Sequence, residues 1–98
     1  MEKTTRTDWS LIQSFLAVAD CGSLSAAARQ LSRSQPTLGR HIQSLEADLN
    51  QRLFERHPRG LQLSQAGTAL LPMAREMQAQ MYRLSLQAAG QSEELAGT

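Results

Sequence analysis

The sequence predicts a mainly α domain: three short helices forming a head, a two-stranded hairpin, and one long helix closing the chain. Three observations carry this. Apolar residues recur at helical spacing in four separate stretches of the 98-residue chain, enough for one small domain. One interval, RLFERHPRGLQLS, breaks that period and holds two short apolar runs around a proline and a glycine. Aromatic residues make up only 4% of the chain, so the core must come from Leu, Ile, Met and Ala, a composition that suits helices.

Residues 1–7 are polar and read as a flexible lead-in. Asp8 is a good N-cap, and Trp9, Ile12, Phe15, Leu16 and Ala19 mark the face of a first helix. Gly22 suits the left-handed residue that closes it. Ser23 caps a short second helix, LSAAARQL, whose alanines allow close approach to a neighbour. A turn at Ser32 to Ser34 leads to a third helix from about Gln35 to Leu49, with Leu38, Ile42, Leu45 and Leu49 on one face. Two strands follow, Leu53/Phe54 to Arg56 and Leu61 to Leu63. The intervening His57-Pro58-Arg59-Gly60 favours a type I turn. Residues 8–63 thus form the head. Ser64 then caps a long helix over residues 64–89, in which Leu70, Ala74, Met77, Met81, Leu84 and Ala88 keep a four-three spacing, the pattern of a helix-pairing seam. Pro72 inside it should bend the rod. Residues 90–98 lack periodicity and read as a disordered tail.

The third helix begins unusually, with SRSQPTLGR. If Ser34 is the cap, its hydroxyl must bond the amide of Thr37, since Pro36 has none. If Gln35 is the cap, Pro36 takes the first helical position, and the restriction proline places on its predecessor favours this second boundary. Opposite the apolar face lie Pro36, Arg40, Gln43, Ser44 and Ala47, with Thr37 on the flank and no acid before Glu46. Charge is distributed to match. The net charge is only +1, yet residues 21–60 carry six arginines against three acids. Arginine is the better phosphate reader. A helix tip with free amides attracts phosphate. Arg40 adds a charge-assisted contact, and Gln35 and Thr37 can reach base edges. With the capped second helix and its tight turn, this is a helix-turn-helix.

The run GSLSAAARQLSRSQPTLGRHIQSLEADLNQRLFERHPRGLQLSQAG resembles the N-terminal winged helix-turn-helix of LysR-type transcriptional regulators. The likeness rests on Ala27-Ala28, SQP, Leu45-Glu46, LFER and the step from Leu63-Ser64 to Ala66-Gly67, in order and at the family's spacing. It extends over roughly Asp8 to Ala88. The resemblance implies that Gln35, Pro36 and Thr37 form the tip of a recognition helix entering the major groove, with Arg33 and Ser34 beside it also among the DNA-binding residues. Arg40 matches a phosphate-contacting arginine, and Arg56 and Arg59 match the wing, which reaches the backbone or the minor groove. It further implies a homodimer paired through the long helix (Leu70, Ala74, Met77, Met81, Leu84) and an interrupted palindromic operator in double-stranded DNA. Gly39 departs from the family's common serine and either lets the backbone approach DNA closely or weakens binding. Members carry a large C-terminal effector-binding domain, so small-molecule sensing and any tetramer formation are expected outside this chain. The N-terminal domain of molybdate-responsive regulators has a similar winged pattern, but the SQP tip and LFER strand favour the LysR type.

Other classes fit poorly. No nucleophile–base pair or paired carboxylates suggest an enzyme. A protein-interaction module would not need the acid-poor arginine set. Cys21 is the single cysteine, without a partner that would activate it, and neither His41 and His57 nor the methionines have metal-ligand spacing, so no cofactor or metal is expected. The apolar run WSLIQSFLAVA is interrupted by Gln13 and Ser14 and followed by Asp20, which fits a helix face better than an export signal. No stretch is long enough to span a membrane. A cytoplasmic protein is the expectation.

Overall fold

Each helix starts where a short side chain can close its first turn. In the computed structural model, which describes the backbone of residues 8–97 and side chains through residue 90, the order is α1 (Trp9–Cys21), α2 (Leu24–Leu31), α3 (Gln35–Leu49), β1 (Phe54–His57), β2 (Gly60–Leu63) and α4 (Gln65–Gly97). The expected flexible segment 1–7 lies outside the described residues. Asp8 accepts from the Ser10 amide at 3.3 Å, Ser23 Oγ from Ala26 at 3.1 Å and Ser64 Oγ from Gly67 at 3.0 Å. These bonds satisfy amides that have no partner within their own helix. α1 ends on Gly22 at φ 77°, whose N–H returns to the Val18 carbonyl at 2.8 Å.

At α3 the structure corrects the boundary that proline's restriction favoured. Ser34 is the cap, accepting from the Thr37 amide at 3.2 Å, so Gln35 and Pro36 are the first two helical residues. A serine hydroxyl lies at the right distance for that amide. This bond outweighs the penalty of a helical residue before proline.

α1, α2 and α3 enclose the core. Phe15, Leu16 and Val18 meet Ala27 and Ala28 of α2 and Leu38, Ile42 and Leu45 of α3, all buried. Leu53 and Phe54 bring the hairpin onto this core, with the rings of Phe15 and Phe54 5.6 Å apart and tilted by 56°. The strands pair antiparallel, Phe54 opposite Leu63 and His57 opposite Gly60, each one residue nearer the turn than the sequence pattern marked. Pro58 and Arg59 both keep negative φ, which fits the expected type I turn and excludes the primed types. Gly60, at φ 135°, comes so close to the Gly22 carbonyl that a Cβ would collide with it. The same carbonyl accepts from Leu61 N–H at 3.0 Å. The hairpin root therefore rests on the α1–α2 turn.

α4 is longer than its apolar pattern indicated. It passes Pro72 unbroken and runs to Gly97, where a disordered tail from residue 90 was expected. Gly90 keeps a negative φ, and Glu93, Glu94, Leu95 and Ala96 are good helix formers, so nothing local ends the helix there. Its first turns pack on the head: Ala74 is 4% exposed, and Leu70 and Leu71 are half-buried against the core. Arg75 donates to Asp20 at 2.6 Å, tying α4 to the last turn of α1. That hydrogen bond first, and the carboxylate charge second, raise the Arg75 pKa above its ordinary value. With both side chains nearly half exposed, the pair contributes little to stability.

Candidate nucleic-acid interface

The amphipathic pattern of α3 turns one face inward and leaves the other clear. Leu38, Ile42 and Leu45 are buried, while Ser34, Gln35, Pro36 and Arg40 are exposed and Thr37 is half-buried. A second fastening comes from His41, whose Nδ1 lies 2.7 Å from Oγ of the fully buried Ser14 on α1. The helix is thus held against the head along its inner side, and its N-terminal tip projects.

Three side chains at that tip are linked. Ser34 Oγ donates to Thr37 Oγ1 at 2.7 Å, and Arg40 approaches the same oxygen at 3.5 Å. The Thr37 oxygen therefore accepts from within the helix, and its own hydrogen is left to donate outward. Gln35 stays exposed, and among the described residues its side chain has no hydrogen-bond partner. Arg33 is exposed in the preceding turn, where its N–H closes α2 onto the Ala28 carbonyl at 2.9 Å.

Arg56 on β1 and Arg59 in the turn are exposed as well. Among the described residues, none of the five arginines at 33, 40, 52, 56 and 59 has an ion-pair partner, whereas Arg75 has one. Their charge stays available to an anion. Gln35 and Arg56 line one groove, together with Ser23, Ser25 and His57, so the structure brings the helix tip and the hairpin to a common concave surface.

The expected pairing seam divides in two. Leu70 and Ala74 pack on this chain's own core, because the head covers the first turns of α4. Beyond it Met77, Met81 and Leu84 remain 43%, 37% and 62% exposed, joined by Met73 at 59%. With Trp9 they line an open apolar groove along α4. Runs of exposed large apolar side chains of this kind mark interaction surfaces.

Two fastenings escaped the sequence pattern, the Ser14–His41 bond and a Glu46 carboxylate that accepts from the Leu53 amide at 2.8 Å. Both join residues that no helical or strand period connects, and only the half-polar flank of α3 hinted at them. Among the described residues no group of three or more His, Cys, Asp or Glu side chains gathers, and no helix is long and apolar enough to cross a membrane.

The sequence pattern described as "Bacterial regulatory helix-turn-helix protein, lysR family" matches residues 9–68. The chain belongs to the LysR family. The HTH-type transcriptional regulator ClcR of Pseudomonas putida is 52% identical over 63 residues, which cover 64% of this chain and 21% of that regulator. The chain thus spans about a fifth of the length of this LysR relative. Of the solved structures, the DNA-binding domain of CbnR in complex with DNA is similar at a TM-score of 0.78 and 38% identity, covering 87% of this chain and 98% of that one. The BenM DNA-binding domain with benA site 1 DNA gives 0.77 and 27%, covering 84% and 95%. Four helices with a two-stranded antiparallel wing are the architecture of these LysR DNA-binding domains.

Proposed function

We propose that the chain binds duplex DNA sequence-specifically as the DNA-binding part of a bacterial, cytoplasmic LysR-type transcriptional regulator. The observation that carries the reading is the projecting, acid-free tip of α3, with arginines on it and on the wing beside it that have no ion-pair partner among the described residues. In this reading Gln35, Pro36 and Thr37 read base edges in the major groove, while Arg33, Ser34, Arg40, Arg56 and Arg59 hold phosphates. The apolar groove of α4 supports a homodimer paired through Met77, Met81 and Leu84. Two-fold pairing places one α3 at each half of an interrupted palindrome.

The test is fluorescence anisotropy on a library-selected and a scrambled duplex across a salt series. Tighter binding to the selected duplex, with affinity falling steeply as salt rises, supports the reading. Absence of binding to either duplex at low salt overturns it, leaving the α4 groove as a surface for a protein partner. Within the site, Gln35→Ala flattens the preference among duplexes; an equal loss on all of them removes Gln35 from base readout.

A further inference from the structure

The wing and the recognition helix are separate in sequence, and their relative placement depends on the chain between them. α3 ends at Leu49, Asn50 turns left-handed at φ 55°, and the Gln51 amide returns to the Glu46 carbonyl at 3.1 Å. The Glu46 side chain continues the same fastening. Its Oε2 accepts from the Leu53 amide at 2.8 Å and approaches that of Phe54 at 3.4 Å. One residue of α3 thus holds the turn through its carbonyl and the start of β1 through its carboxylate. A carboxylate accepting from main-chain amides is a strong hydrogen-bond arrangement, and Glu46 is only half-buried, so its desolvation stays moderate.

β1 runs from Phe54 through Arg56 to His57, and Arg59 follows in the turn. On the other side, Ser64 N–H donates to the Leu53 carbonyl at 2.8 Å, which fixes the same residue to the start of α4. Of the hydrogen bonds at Leu53 and Phe54, those made by a side chain of α3 are the ones to Glu46.

We propose that Glu46 is a positioning residue for DNA binding: its carboxylate sets the wing at a fixed distance from the recognition helix, so that Arg56 and Arg59 meet the backbone in register with the helix tip. This rests on the DNA-binding reading above. Glu46 touches no DNA itself and acts through the wing arginines.

The test is a double-mutant cycle on the 98-residue chain. Glu46→Ala and Glu46→Asp are each made in the unaltered chain and in an Arg56→Ala/Arg59→Ala background, with folding checked by circular dichroism. Aspartate keeps the charge but is one methylene too short to reach, and it covers the case in which the alanine variant fails to fold. In the unaltered background both variants weaken binding to the selected duplex about tenfold and lower the salt slope by about one unit for each arginine that no longer reaches phosphate. In the arginine-free background they change neither quantity. Equal loss in both backgrounds with an unchanged salt slope assigns Glu46 to general stability and overturns the proposal. Full affinity of Glu46→Asp overturns it too. Failure of the unaltered chain to bind any duplex overturns the DNA-binding reading and this inference with it. An unaltered affinity of the Arg56→Ala/Arg59→Ala chain removes the wing arginines, and Glu46 with them.

Discussion

Two glycines inside helices should respond to the same substitution with opposite signs. At Gly39 in α3 nothing lies within 4 Å of where a Cβ would stand, and its φ is negative. Alanine there gains helix propensity and restricts the unfolded chain, which stabilises by about 0.8–1 kcal/mol. For a domain of this size that raises Tm by roughly 4–8 °C. Gly67 in α4 is buried, and a Cβ would collide with the Leu53 carbonyl oxygen and stand 2.9 Å from Leu63 Cδ2. The carbonyl is itself held by Ser64 N–H at 2.8 Å and cannot retreat without breaking that bond. Overpacking costs about 1–3 kcal/mol, and disturbing the Ser64 cap adds about 1 kcal/mol. After the propensity gain, Gly67→Ala should lose about 1–3 kcal/mol. Urea denaturation of both variants at one protein concentration measures the pair. A Gly67→Ala variant as stable as the parent, or shifted in the same direction as Gly39→Ala, would refute the close-approach argument. Binding then separates the two roles open to Gly39. If the backbone approaches DNA there, Gly39→Ala lowers affinity although the fold is firmer; if glycine only weakens the helix, affinity holds or rises.

Ser34→Ala removes the α3 cap and should cost about 0.5–2 kcal/mol in thermal unfolding, while freeing the Thr37 hydroxyl to reorient. Arg40→Ala should weaken binding to selected and scrambled duplexes alike and reduce the salt slope by about one unit per monomer, read by anisotropy. Met81→Glu places a charge in the α4 groove and should give monomers in sedimentation; an intact dimer would move the pairing surface elsewhere. Ser14→Ala should leave half-buried His41 without its partner and lower stability by about 0.5–1.5 kcal/mol in urea unfolding, the net worth of one hydrogen bond.

Features set by neighbours along the chain were legible in the sequence. Asp8, Ser23 and Ser64 cap their helices and Gly22 closes α1, because such bonds span two to four residues and need no tertiary context. The order of elements and the exposed tip of α3 followed from period and charge. The Ser34 boundary did not, because two local rules competed and only the geometry of the Thr37 amide decides between them. In the sequence the seam is one continuous stripe. Four-three spacing identifies a face without saying what covers it, and the head takes Leu70 and Ala74 while leaving Met77 and Met81 open. Glu46 carried no visible role for a similar reason: the chain reversal that brings Leu53 to it lies outside any helical or strand period.

The division of α4 into a docked beginning and an exposed stretch from Arg75 to Gly90 makes it a lever. Among the described residues its last polar fastening to the head is Arg75 on Asp20, and the helix continues to Gly97. At 1.5 Å per residue the helix beyond that bond is about 33 Å long. A rotation of about 5° at the fulcrum then displaces the far end by about 3 Å, roughly two residues of helical rise. Run backwards, the same ratio means that movement imposed at the far end reaches the DNA-facing head strongly demagnified in distance and multiplied in force. Small changes in how α1 and α4 pack near Asp20 therefore translate into larger displacements of the far end of α4.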